Sequence, residues 1–154
     1  MAIVYHSENK DNFLLKVKEE IKDRFKGCNK IAIKIHFGEP GNKTAFKPDD
    51  IKPITDVLNE LNIKFFLFDS LVTYSGLRNN SDSYKNFTIK KGWGNLGEIR
   101  INDEHISVKG ENLTYEVCKE LVDTDAVLVV SHVKGHVCTG FGGAIKNLGM
   151  GALT

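Results

Sequence analysis

The chain has 154 residues, of which 41% are hydrophobic and 27% are charged, and its formal net charge is +1 at pH 7. This length and composition are typical of one globular domain, and the near-neutral charge argues against nucleic acid or an anionic membrane as a partner. No apolar run approaches the roughly 18–20 residues of a transmembrane helix, and the N-terminal segment lacks a secretory pattern, so we expect a cytoplasmic location.

Apolar periodicity in the first half of the chain alternates between strand-like and helical patterns. Residues 11–26 repeat apolar side chains every four positions, which predicts a helix capped by Asp11 and stopped by Gly27. Strands are predicted at residues 3–6, 30–37 and 64–69, and a second helix ends near residue 61.

The second half continues the alternation with weaker patterns. Apolar residues at helical spacing predict an amphipathic helix over residues 113–123, and the run from 126 to 132 predicts a buried strand. The remaining expected elements are a helix over 81–91 capped by Ser81, a hairpin turning at Asn102–Asp103, and a last helix from near Gly143.

Helices that alternate with apolar strands are typical of the α/β class. We therefore expect one α/β domain over residues 1–154, with a mostly parallel sheet covered by helices and a small β-hairpin insertion.

Polar loops follow three of the predicted strands. In an open parallel sheet these loops lie beyond the carboxyl ends of the strands, which is where such folds bind ligands. The predicted site therefore lies on the loops after the strands that end near His36, Asp69 and His132. Nine titratable residues would gather at this edge: His36, Glu39, Lys43, Asp69, Tyr74, Arg78, His132, Lys134 and His136.

The segment "SHVKGHVCTGFGGAIKNLGMG", residues 131–151, carries the strongest chemical signal. His132 and His136 are four residues apart, a spacing that suits a divalent metal on a helix, although Gly135 argues against a helix. The alternative is a pair of loop histidines that bond to backbone or ligand, or act as acid and base. Cys138 is either a third, soft metal ligand or an apolar filler.

A glycine-rich turn in the same segment suggests an anion site. Gly140, Gly142 and Gly143 precede the last predicted helix, where free backbone N–H groups attract negative charge, and Lys146 follows. The pattern matches neither GxxxxGK[ST] nor GxGxxG, and close chain packing is the alternative explanation for the glycines.

Lys34 and His36 alternate on one side of the second predicted strand. One interpretation is that both residues bind a ligand. The alternative is that the aliphatic part of the Lys34 side chain covers the rim of the sheet. The three cysteines, Cys28, Cys118 and Cys138, include no CxxC pair, so this chain has no pattern for iron–sulfur ligands and reduced thiols are expected.

Three segments resemble the family of unknown function numbered 362, often called uncharacterised iron–sulfur centre proteins. These are "KIHFGEPGN" (34–42), "FDSLVTYSGLRNN" (68–80) and the segment 131–151, and the resemblance covers nearly the whole chain. It implies a site that contains His36, Glu39, His132, Lys134, His136 and Lys146.

The larger members continue into a ferredoxin-like segment with cysteine motifs. Because this sequence stops at Thr154, the resemblance implies a stand-alone or shortened member, or a chain truncated before that segment. A ferredoxin-like module in cis or trans, or a second copy of the chain, is then an expected partner.

Two functions follow from these observations. The first is a ligand- or metal-binding domain of a redox-associated enzyme, in which His132, His136 and Lys146 are the catalytic residues. The second is a non-catalytic module that binds an anion, a cofactor or a partner protein.

Overall fold

The computed structural model describes residues 3–153. Within this range the helices are α1 (Lys10–Arg24), α2 (Pro48–Glu60), α3 (Ser81–Lys90) and α4 (Ala144–Gly149). The strands are β1 (Lys30–Ile35), β2 (Lys64–Phe68), β3 (Glu98–Arg100), β4 (His105–Lys109), β5 (Thr114–Cys118), β6 (Ala126–Val130), β7 (Lys134–His136) and β8 (Gly140–Gly142).

A four-stranded parallel sheet in the order β3-β2-β1-β6 forms the centre of the fold. Two antiparallel hairpins, β4-β5 and β7-β8, lie outside it. The prediction of an α/β fold with a mostly parallel sheet and a small hairpin is confirmed.

The two faces of β1 have different partners, as the alternation of its residues requires. Ile31, Ile33 and Ile35 are fully buried in the main core, which they share with residues of α1, α2 and α3. Ala32 belongs to a smaller apolar cluster on the opposite face, which includes Cys118 of β5. The long helices therefore share one face of the sheet.

At the starts of α1 and α3, an asparagine side chain accepts a free backbone N–H group of the first turn. The Oδ1 of Asn9 accepts from Asn12 N–H at 3.0 Å at the start of α1, and that of Asn80 accepts from Ser83 N–H at 2.9 Å at the start of α3. The caps predicted at Asp11 and Ser81 are thus wrong by two positions and one position, because Asn9 and Asn80 are the extended residues before each helix, whereas Asp11 and Ser81 lie in the first turn.

Two predicted elements around the hairpin are wrong. The hairpin does not turn at Asn102–Asp103; β3 joins the parallel sheet, and β4 pairs with β5 instead. The predicted helix over 113–123 is therefore β5 followed by a short turn at Lys119–Leu121. Threonine, tyrosine and valine favour a strand, and this preference outweighs the helical spacing of the apolar residues.

Strand predictions near the edges of the fold also need correction. Residues 3–6 form no strand, and Ile3 and Val4 are exposed. β6 is an edge strand whose five residues are half-buried, not the fully buried strand that its apolar run predicted. Among residues 3–153 no helix is both long and apolar enough to cross a membrane.

Candidate functional site

The loops that follow β1, β2 and β6 line one open cavity of about 700 Å³. Parallel pairing of these strands brings their carboxyl ends to the same edge of the sheet. The prediction that the three loops meet at one edge is confirmed. A cavity of this size is typical of small-molecule sites.

Asp69, the first residue after β2, is the centre of a buried hydrogen-bond network on the cavity wall. Its Oδ1 accepts from Lys34 Nζ at 2.6 Å, and its Oδ2 accepts from Arg78 Nη2 at 3.1 Å and from the Tyr84 hydroxyl at 2.7 Å. Burial by itself would raise the pKa of Asp69, but Lys34 and Arg78 outweigh it and lower that pKa. The carboxylate is therefore held ionised inside the protein.

Lys34, expected to be a ligand-binding residue, does not line the cavity. Its side chain is fully buried between Asp69 and Asn147, whose Oδ1 accepts from Nζ at 2.8 Å. The Lys34 side chain therefore lies neither on the cavity wall, where it could contact a ligand, nor over the rim of the sheet. Lys34 instead stabilises the wall of the cavity from inside.

Asn147, in α4, joins the last segment of the chain to the sheet. Besides accepting from Lys34, it donates through Nδ2 to the Val130 carbonyl at 3.1 Å and to Ser131 Oγ at 3.0 Å. At Gly151 a Cβ atom would lie 2.8 Å from Lys34 Nζ and 2.5 Å from the Asn147 carbonyl oxygen, so any larger residue would push these groups apart. Part of the motif "KNLGMG" is thus explained by packing.

His36 lies between two hydrogen-bond donors. Its Nδ1 lies 2.9 Å from the Gly38 backbone nitrogen and its Nε2 lies 2.9 Å from Nη1 of Arg78, and both of these groups can only donate. A neutral imidazole has one acceptor nitrogen, so His36 accepts from only one of the two at a time. Burial, assisted by the Arg78 charge and opposed by Asp69, lowers the pKa of His36 to about 4. The imidazole is therefore neutral at physiological pH.

Gly38 has a backbone conformation that favours glycine. Its φ is +87°, and a Cβ atom there would be 2.9 Å from the Cβ of Ala45. The loop can therefore present this N–H to His36 only because residue 38 lacks a side chain.

Glu39 and Tyr74 extend the network from Arg78 towards solvent. The Oε1 of Glu39 accepts from Arg78 Nη1 at 3.1 Å and from the Tyr74 hydroxyl at 3.1 Å. Burial opposes ionisation of Glu39, but the hydrogen bonds from Arg78 and Tyr74 outweigh it and lower its pKa. Two donors thus converge on one carboxylate oxygen at the cavity wall.

His136 lines the cavity in an arrangement that disfavours metal binding. Its Nδ1 accepts from the backbone N–H groups of Cys138 and Thr139 at 3.1 and 3.3 Å. A neutral ring then carries its proton on Nε2, so neither ring nitrogen has a free lone pair for a metal ion. In a metal-binding histidine, one ring nitrogen donates its N–H to a nearby acceptor and the other binds the metal. Within residues 3–153 no group of three His, Cys, Asp or Glu side chains could hold a metal ion.

The other candidates from the last motif lie at the mouth of the cavity. His132 is exposed and contacts the ring of Phe46 edge-on, with 5.9 Å between the ring centroids. Lys134 is exposed and Lys146 is half-buried, and both line the cavity together with His132 and His136. The structure thus gathers these four side chains, whereas Lys43 lines a separate, neighbouring cavity.

The glycine-rich turn is a hairpin, β7-β8, followed by a helix of only six residues. Gly142 and Gly143 line the cavity, and Gly140 does not. A Cβ atom at Gly143 would lie 2.9 Å from the Phe141 ring, so close packing accounts for this glycine. The anion site expected at this turn stays a prediction, to which a helix of six residues contributes only a weak dipole.

No pattern in the sequence indicated a role for Asn147 or Tyr84. Asp69 and Arg78 were predicted at the edge of the sheet, but the hydrogen bond between them was not. A signal existed for Asp69, since a carboxylate at the end of an apolar strand needs buried cations beside it. No comparable pattern marks Tyr84, whose hydroxyl reaches Asp69 from α3.

Fold and cavity together define an α/β domain with a ligand-sized cavity at the carboxyl edge of a parallel sheet. The chain belongs to the family described as "Domain of unknown function (DUF362)", whose model matches residues 31–154. The resemblance seen in the sequence is therefore confirmed. Comparison with curated proteins and with solved structures gave no match.

Proposed function

We propose that this domain binds a small anionic molecule in the cavity at the edge of its parallel sheet. The observation that carries the proposal is the imbalance of charged side chains on the cavity wall. Arg78, Lys134 and Lys146 face only two acids among the described lining residues, Glu39 and Asp69. Asp69 is already bound to Lys34 and Arg78, so its charge is satisfied within the protein.

Polar donors add to this excess of positive charge. His136 accepts at Nδ1 and therefore offers an N–H from Nε2, and Ser70 and Ser131 place hydroxyl groups on the wall. Such donors stabilise negative charge without having to be charged themselves. Phe46, Leu71 and other apolar residues line the rest of the cavity, which suits an anion that also carries an apolar part.

A catalytic function would use the same cavity. His132 is the exposed imidazole on its wall, which supports His132 as the acid or base, and Lys146 would then hold the anionic group of a substrate. The redox partner expected from the family resemblance stays a prediction. A binding module and an enzyme would both have to bind the anion in this cavity, so binding is the property to test.

Nuclear magnetic resonance titration of the purified protein with inorganic phosphate and with propionate tests the proposal. We expect backbone shifts in the three loops, and a Lys134→Gln, Lys146→Gln double variant should bind at least about tenfold more weakly, since one charge-assisted contact is worth roughly 1.5–3 kcal/mol.

Lys109→Gln is the matched control, because it removes the same charge from β4, outside the cavity. Wild-type protein that binds neither anion, or a double variant that binds as well as Lys109→Gln does, would refute anion binding in this cavity.

A further inference from the structure

Arg78 holds two carboxylates that differ in exposure. Its Nη2 bonds to Asp69, whose side chain is 1% exposed, and its Nη1 bonds to Glu39, whose side chain is 43% exposed. Both distances are 3.1 Å. The contact with Asp69 is therefore a fixed part of the interior, while the contact with Glu39 is open to exchange with solvent.

The buried charges behind this contact do not balance without Glu39. Lys34 and Arg78 each carry a formal charge of +1 and Asp69 carries −1, so the three buried groups sum to +1. A net charge removed from water is costly unless an opposite charge lies beside it. Glu39 supplies that charge in this structure, and a monoanionic ligand would balance it equally well.

Glu39 lies at the start of a loop whose following residues are exposed. Gly38 and Gly41 flank it with φ values of +87° and +79°. Nothing in the described chain lies within 4 Å of a Cβ placed at Gly41, so the loop is not packed tightly there. Tyr74, the second donor to Glu39, has 57% of its surface exposed and lines the same cavity.

We propose that Arg78 and Tyr74 form a carboxylate subsite, that Glu39 occupies it as an internal substitute, and that the carboxylate of the ligand displaces Glu39. This inference rests on the proposed function and narrows its ligand to a carboxylic acid. The two donors meet at a single carboxylate oxygen, and the unbalanced charge is one, which matches a carboxylate better than a phosphate dianion.

The Glu39→Ala variant tests the displacement directly. Removing the internal competitor should tighten binding of propionate about tenfold in the same titration, as expected if Arg78 is free in roughly a tenth of wild-type molecules. Binding of phosphate should gain less. Adding Tyr74→Phe to Glu39→Ala removes one donor from an exposed position and should weaken propionate binding again without lowering the free energy of unfolding.

Glu104→Ala is the control for overall charge, since Glu104 pairs with Lys119 at 2.8 Å and does not line the cavity. Wild-type protein that binds propionate no more weakly than Glu39→Ala would overturn the displacement while leaving anion binding intact. A larger gain for phosphate than for propionate would overturn the carboxylate assignment. Failure of the wild type to bind either anion would refute the proposed function and this inference together.

Discussion

The ammonium group of Lys34 donates to the carboxylate of Asp69 at 2.6 Å, and neither side chain is more than 1% exposed. Two neighbouring strands, β1 and β2, bring the pair together in the interior beside the cavity. Arg78 and Tyr84 complete the hydrogen bonds of Asp69, which lets a charged group persist where water does not reach.

Replacing Asp69 by asparagine should destabilise the protein strongly. The change leaves Lys34 and Arg78 buried without their shared carboxylate, and breaking such a pair from one side costs about 3–5 kcal/mol. Urea unfolding followed by circular dichroism measures this loss. Asp56→Asn is the control, because it breaks the exposed Lys52–Asp56 pair at 2.7 Å and should cost about 0–1 kcal/mol. Equal losses in the two variants would contradict the structural role of the Asp69 network.

His36 should make stability depend on pH between about 4 and 6.5. Its pKa is about 4 in the folded protein against an ordinary 6.5, so the unfolded chain binds the proton more readily in this window. The contribution of His36 is complete above pH 6.5 and is lost as the pH falls towards 4. Urea unfolding at several pH values should show a shallower loss for His36→Gln than for wild type. A His36 resonance that titrates near pH 6.5 would contradict its burial against Arg78.

The imidazole of His136 should carry its proton on Nε2. Backbone N–H groups of Cys138 and Thr139 already bond to Nδ1, so a proton there would face two donors. Long-range ¹H–¹⁵N correlation spectra at a pH where the ring is neutral report the tautomer. His105 is the internal control, because the other tautomer is expected there. Its Nδ1 lies 3.1 Å from the Asp103 carbonyl oxygen and must donate to it. Protonation of His136 at Nδ1 would contradict these two backbone hydrogen bonds.

The central sheet was predictable because its strands have strong local patterns. The alternation from Ile31 to Phe37 and the apolar run from Phe65 to Phe68 leave little choice of element, and parallel order follows from the helices between them. The location of the site followed from parallel order alone. These steps need only local sequence and a general rule about sheet edges.

Residues 113–123 show where such reasoning fails. Leu113, Val117 and Leu121 have helical spacing, yet Leu113 is 63% exposed and Val117 belongs to β5. Pairing with β4 decides the outcome, and that pairing depends on a partner strand that the sequence did not delimit correctly. Local spacing carries no information about which neighbour will supply the backbone hydrogen bonds.

The roles of Lys34 and His36 were unpredictable for a different reason. Both positions were predicted as ligand contacts, but Lys34 binds a buried partner and does not line the cavity, while His36 lines the cavity and also contacts the buried cation Arg78. Asp69, Arg78 and Asn147 come from three distant segments, so their convergence is a property of the tertiary fold. Sequence patterns identified the edge of the sheet but not the pairs within it.

The hydrogen bond between Lys34 and Asn147 joins positions 113 residues apart, which has a consequence for synthesis of the protein. Ribosomes add roughly 5–20 residues per second, and contacts between distant positions form late because long loops must close first. While residues 131–153 are still unmade, a nascent chain contains Lys34 and Asp69 but not Asn147, which covers Lys34 in the finished fold. The cavity wall thus becomes complete only after Asn147 has been synthesised and has docked against Lys34.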